Sequence, residues 1–189
     1  MPLGERRGRY AIKGTVTLAP IEAGMDRLTV RPATEQDVDS IARIYNEAVL
    51  STVSTFDTEP RTLEAQAEFL HHHDSRHPVL VAELDRNVVG WGSLSRWSER
   101  NAYDRTAEVS VYIDEHWRGK GIGRRLLREL MAAGSRAGLH TLLARIADGN
   151  ETSLRLHYGA GFHDVGVMHE VGYKFERWVD VHLLQFIYE

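Results

Sequence analysis

From position 111 to position 124 the chain reads Val111-Tyr112-Ile113-Asp114-Glu115-His116-Trp117-Arg118-Gly119-Lys120-Gly121-Ile122-Gly123-Arg124, with glycines at every second position just before a helical pattern begins. Glycines placed so let backbone amides turn inward and approach an anion closely. A helix starting directly after them adds unpaired N–H groups and a partial positive charge. The chemistry that suits this is a cradle for a pyrophosphate; the plain alternative is a tight turn. It is not a nucleotide P-loop, because no Lys-Ser/Thr pair closes it, and the Gly-x-Gly-x-x-Gly and distal acid of a dinucleotide site are missing. Arg124, Arg125 and Arg128 read mostly as a solvated helix face, with Arg124 within reach of a phosphate.

A second group, His71, His72, His73 and His77, invites a metal reading. Adjacent residues on a helix point in different directions, and only His73 and His77 share a face at i,i+4. Zinc wants more ligands than that, so no metal is expected. The cluster falls instead at a helix end, where charged histidine complements the dipole. The chain has no cysteine, which excludes disulfides, zinc ribbons, iron–sulfur clusters and a cysteine nucleophile and fits a reducing cytoplasm.

Elements must position these groups, and the periodicity supplies them. Residues 28–31 read as a short strand stopped by Pro32; Thr34, with Asp37 three places on, opens a helix carrying Val38, Ile41, Ile44, Tyr45 and Val49. Thr62 starts a second helix through Leu63, Ala67, Phe69 and Leu70. Residues 79–84 and 88–94 read as a hairpin over Asp85-Arg86-Asn87, and 106–114 as another strand. A helix over 121–136, with Ile122, Leu126, Leu127, Leu130 and Met131 on one face, is ended by Gly138. A strand over 139–146, a helix over 150–158 and strands over 162–171 and 178–188 complete the order β-α-α-β-β-β-α-β-α-β-β. That order predicts an α/β fold with a mixed sheet and helices on both faces.

The 189 residues are 42% hydrophobic and 26% charged, an ordinary globular composition, and residues 28–189 carry no linker or repeat and read as one domain. A net charge of −4 argues against wrapping nucleic acid, and no apolar run is long enough to cross a bilayer. Residues 1–27 differ: they are basic, glycine-interrupted and without an apolar signal-peptide core, and they read as a disordered extension, with Met25 an alternative start and residues 12–18 an alternative added strand.

Arg118-x-x-Gly121-x-Gly123 after a strand resembles the acetyl-coenzyme A motif of the GNAT acetyltransferase superfamily, and Asn150-x-x-Ser153 with Gly161-Phe162 matches its second signature. Within it the chain is similar to the phosphinothricin (methionine sulfoximine) N-acetyltransferase family. The similarity lies in Ile44-Tyr45-Asn46 with Val49, Thr58-Glu59-Pro60, Trp97, Arg100-Asn101-Ala102-Tyr103-Asp104, Thr106-Ala107-Glu108, Ser110-Val111-Tyr112, His157, Lys174, Trp178 and Asp180. It implies a GNAT fold, acetyl-coenzyme A as cosubstrate, a small amino acid or analogue as amine acceptor, and a cytoplasmic homodimer, with no metal, nucleic acid or membrane partner.

Direct acetyl transfer to an amine needs the coenzyme held, the ammonium deprotonated, the oxyanion stabilised and the thiolate protonated. The resemblance assigns Arg118, Gly119, Lys120, Gly121, Ile122, Gly123 and Arg124 to the pyrophosphate, Val111, Tyr112 and Ile113 to the pantetheine arm, and Asn150 and Ser153 to the coenzyme. It also implies an oxyanion-donating amide on the strand before the turn. Glu108 is the implied general base and His157 the implied proton donor to the thiolate; the plain alternatives are an outward acid and a packed core histidine. Phe56 and Trp97 would wall the acceptor pocket, with Ser98, Glu99, Arg100, Val109, Ser110 and Lys174 around the substrate, while Arg96 reads as surface charge. Competing readings are acetylation of a peptide N-terminus, a lysine or a polyamine, and a coenzyme-A-binding module without turnover.

Overall fold

The computed structural model describes residues 27–189, so the expected basic extension lies, but for its last residue, outside the described residues. One seven-stranded sheet runs in the order β1-β2-β3-β4-β5-β7-β6. Its strands are β1 (Thr29–Pro32), β2 (Val79–Leu84), β3 (Asn87–Arg96), β4 (Thr106–Ile113), β5 (Thr141–Ala147), β6 (His163–Lys174) and β7 (Arg177–Ile187). The helices are α1 (Val38–Ser51), α2 (Leu63–His71), α3 (Ile122–Arg136) and α4 (Glu151–Tyr158), in the chain order the periodicity predicts.

Two apolar layers hold the helices to opposite faces. Ile41, Ile44, Tyr45 and Val49 of α1 bury against Val79, Val81, Val88 and Trp91. On the other face Ile122, Leu126, Leu127 and Leu130 of α3 bury among Leu80, Val89, Val109, Leu142 and Leu184. Each such side chain contributes about 1.5–3 kcal/mol when removed from water. At Gly134 a side chain would collide with the Tyr188 hydroxyl, so glycine there sets how closely α3 approaches the sheet.

Two of the boundaries that differ from expectation have a local cause. A single 3-10 turn, Glu35–Asp37, precedes α1, with the Asp37 carboxylate accepting from the Thr34 amide at 2.8 Å. The sixth strand continues to Lys174 rather than ending at 171; register shifts at Asp164/Gly166 and Met168/Gly172 break its alternation and hide its length from periodicity.

What makes a site of this sheet is its one parallel pair. β4 and β5 are joined only at Thr106↔Thr141, Ala107↔Leu142 and Glu108↔Leu143, although β4 runs on to Ile113 and β5 to Ala147. Beyond Glu108 the strands diverge and leave facing backbone groups without a strand partner, a wedge in the middle of the sheet.

Candidate active site

A cavity of about 590 Å³ opens at this wedge. Its floor is built by register. Trp91, Ser93 and Ser95 of β3 stand opposite Tyr112, Ser110 and Glu108 of β4, and strand alternation puts all six on the α1 side of the sheet. The 52–62 segment and the β6–β7 hairpin cover it: Phe56, Met168 and Val171 line the cavity, and a side chain at Gly172 would run into the Phe56 ring.

Of the residues expected from sequence, Phe56, Glu108, Val109, Ser110, Val111, Tyr112, Asn150, Ser153 and His157 line this cavity. The glycine turn adjoins the wedge: a Cβ on Gly123 would lie 3.8 Å from Ile113 of β4 and 3.5 Å from Leu156 of α4. Gly119 and Gly121 have φ of +76° and +83° with open space where a side chain would stand, and α3 begins at Gly121 without a side-chain cap. Its first amides are therefore left for another acceptor. Two of the turn's basic side chains are engaged within the protein. Arg118 donates to the Ile113 carbonyl at 3.1 Å and to Glu47 at 2.6 Å, and Lys120 donates to the His116 carbonyl at 3.0 Å above the Trp117 ring. These contacts brace the turn.

Glu108 does not stand alone. Arg145 of β5 donates from Nε and Nη2 to its two carboxylate oxygens, each at 2.7 Å, and this ion pair raises the arginine's pKa. His157 is buried on α4 with Nδ1 donating to the Ser153 carbonyl at 2.8 Å, so Nε2 carries a lone pair, and among the described residues Nε2 has no hydrogen-bond partner. Burial lowers the pKa of His157. The resting ring is a neutral acceptor, so the expected donation to a thiolate requires that it first take up a proton at Nε2. Asn150 caps α4 through the Ser153 amide at 3.1 Å and reaches the Ser54 hydroxyl at 3.2 Å.

The expected substrate loop falls elsewhere. Trp97, Ser98, Glu99 and Arg100 do not line the cavity; Glu99 and Arg100 are exposed beyond β3, and the Trp97 ring lies 5.8 Å from the Arg145 guanidinium. Lys174 is buried, with Nζ donating to the Thr55 carbonyl at 2.8 Å, and burial lowers its pKa. It fastens the β6–β7 hairpin to the covering segment because desolvation of an ammonium demands a nearby acceptor.

Sequence reading missed several lining groups. Tyr45 donates to Asp57 at 2.7 Å, while Thr55 at 2.8 Å and Arg61 at 3.1 Å donate to its hydroxyl, whose pKa burial pushes up to about 12. His73 donates from Nδ1 to the Phe69 carbonyl at 2.7 Å and accepts at Nε2 from Ser95 at 3.0 Å, so one member of the histidine cluster reaches the cavity wall as a hydrogen-bonding group. Among the described residues no group of three metal-ligating side chains converges. Arg145 had a signal in sequence: it is the single charge inside the otherwise apolar run 142–147.

The sequence profile of the acetyltransferase (GNAT) domain matches residues 30–183. An L-methionine sulfoximine/L-methionine sulfone acetyltransferase of Salmonella typhimurium is 37% identical over 163 residues, 84% of this chain and 93% of that protein. A crystal structure of a phosphinothricin acetyltransferase from Sinorhizobium meliloti in complex with acetyl-coenzyme A superposes with a TM-score of 0.82 at 34% identity, covering 85% of this chain and 88% of that one. A ribosomal-protein-alanine N-acetyltransferase from Brucella melitensis superposes with a TM-score of 0.82 at 37% identity over 85% and 99% of the two chains. Among the described residues no helix is long and apolar enough to cross a membrane.

Proposed function

The chain belongs to the GNAT acetyltransferase family, and on that premise we propose that it moves an acetyl group from acetyl-coenzyme A to the α-amine of a small amino acid or analogue of the methionine sulfoximine, methionine sulfone and phosphinothricin type. The observation that carries the reading is the wedge between β4 and β5, which runs from an uncapped, glycine-built helix start to a closed end carrying a carboxylate. The residues fit the coenzyme. The amides of Gly119 to Arg124 would hold its pyrophosphate, Val111 and Ile113 would pair with its pantetheine arm as a neighbouring strand does, and Asn150 and Ser153 would flank it. The coenzyme supplies the activated acetyl group as a thioester.

Glu108 is assigned the proton of the acceptor ammonium, directly or through a water. A carboxylate has about four lone-pair sites. Arg145 occupies one on each oxygen, which leaves the others for the acceptor. His157 is assigned the proton for the thiolate, taken up at Nε2 from the nitrogen of the tetrahedral adduct and passed from the same atom to the leaving sulfur. The relatives named for methionine sulfoximine, methionine sulfone and phosphinothricin favour a free amino acid over the activity in the Brucella protein's name. We also assign a cytoplasmic homodimer, supported by the exposed Val171, Tyr173, Phe175 and Trp178 of the β6–β7 hairpin.

The test is thiol release from acetyl-coenzyme A with methionine sulfone, methionine sulfoximine and phosphinothricin against short peptides and polyamines. Release with the amino acids and little with the others is expected; the reverse ranking overturns the reading. Glu108→Gln should lower kcat by about 10²- to 10⁴-fold, the usual scale for removing a general base, and full activity would remove Glu108 from that role.

A further inference from the structure

We propose that Arg145 is the carboxylate anchor of the acceptor site, so that Arg145 and Glu108 together read the two charges of a free α-amino acid; this rests on the amino-acid reading above. Glu108 is the last residue of β4 paired to β5, opposite Leu143, and Arg145 sits two residues further along β5, so the ion pair bridges the closed end of the wedge. Both side chains line the cavity. A guanidinium has five N–H donors, and this one spends its Nε–Nη2 edge on Glu108. Among the described residues Nη1 has no hydrogen-bond partner, which leaves the Nη1–Nη2 edge as a second fork of the shape that matches a carboxylate. The Arg145 side chain is 53% exposed against 18% for Glu108, so the free edge is the accessible one. The other cavity arginine, Arg61, is more committed: it donates to Asp57 and to Tyr45 and lies 4.1 Å over the Tyr45 ring.

The charge balance states which acceptor fits. Two ion pairs line the cavity, Arg61 with Asp57 and Arg145 with Glu108, so its charges balance before the acceptor enters. A zwitterion adds one of each, so its ammonium meets Glu108, its carboxylate meets Arg145, and no charge is left without a partner in the cavity. An amine lacking the carboxylate brings an uncompensated cation beside the guanidinium, and a peptide N-terminus does the same because its carboxylate is remote. Selection against these acceptors comes from repulsion as much as from attraction.

The experiment compares methionine sulfone with 3-(methylsulfonyl)propylamine, the same molecule without its carboxylate, on wild-type enzyme, Arg145→Ala and Arg145→Lys. Losing a hydrogen-bonded charge contact of this kind should raise KM for methionine sulfone by about 10- to 100-fold in Arg145→Ala. The preference for the amino acid over the amine should narrow by a similar factor, whereas a change in kcat from loosening Glu108 falls on both acceptors alike. Arg145→Lys keeps the charge without the fork and should fall between, and as the gentler change it carries the test if the alanine variant does not fold. A KM for methionine sulfone that stays put, or an equal loss with both acceptors, overturns the role of Arg145 while leaving the amino-acid reading intact. Wild-type enzyme that turns over amines or peptides but no free amino acid removes both.

Discussion

His157 and His73 are both held below the ordinary histidine range, His157 by burial on α4 and His73 chiefly by burial against the cavity wall. The folded protein therefore binds fewer protons at these rings than the unfolded chain does. The stability they confer is complete above pH 6.5, their unfolded value, and declines as pH falls through their folded values. Asp37 and Asp114, lowered by their arginine partners Arg31 and Arg43, act in a separate window, keeping their contribution above 3.8 and losing it below. Melting temperature should thus begin to drop below about pH 6.5, well before the carboxylates protonate, and His157→Asn should flatten that first descent; differential scanning calorimetry from pH 8 to pH 3 reads both. A descent unchanged in the variant would put the linkage elsewhere. At this scale the structure brings Glu108, Ser110, Asn150 and His157, all marked in the sequence, to the cavity wall, because strand alternation and cap chemistry are local. Arg145, Asp57 and Tyr45 escaped it because their partners come from other elements: Glu108 is 37 positions from Arg145. The contact of Lys174 was illegible for the same reason, its acceptor being 119 positions away.

Among the elements, the start and the middle of α3 use glycine for opposite purposes, and the difference can be measured. Gly121 has φ of +83° with nothing near its missing side chain, so alanine there strains backbone without meeting a neighbour. A left-handed alanine costs about 1–2 kcal/mol, and the strain moves the amides proposed to hold the pyrophosphate. Gly134 faces Tyr188 and Leu94, where an added methyl overfills the contact between helix and sheet. Gly121→Ala should therefore weaken coenzyme A binding in calorimetry out of proportion to its effect on melting temperature. Gly134→Ala should lower the melting temperature while leaving coenzyme affinity nearly unchanged. The same kind of reasoning explains what was legible in the elements. Helical periodicity and the 85–87 hairpin turn fixed their order. The wedge was hidden, because pairing with β5 ends at Glu108 although the apolar pattern of β4 continues to Ile113.

Across the whole molecule, the β6–β7 hairpin joins the site to the proposed partner. β6 is one of the sheet's two edge strands, and the hairpin exposes Val165, Val167, Val171, Tyr173, Phe175 and Trp178, with the Tyr173 and Trp178 rings 5.0 Å apart. A monomer rarely exposes this many large apolar side chains on one hairpin, and a second copy covering them satisfies both these side chains and the open strand edge. The hairpin also roofs the cavity: Met168 and Val171 line it, and Lys174 ties it to Thr55. Dimerisation and acceptor binding should therefore be coupled. Wild-type protein should elute at twice the 21.4 kDa chain mass in light-scattering chromatography. Trp178→Glu buries a charge in the proposed contact and should shift the protein to monomer. Its KM for the amino acid should rise while coenzyme affinity, set by the turn before α3 on the far side of the wedge, is kept. A monomeric variant with wild-type KM would separate the roof from the interface and leave the dimer without a part in the site.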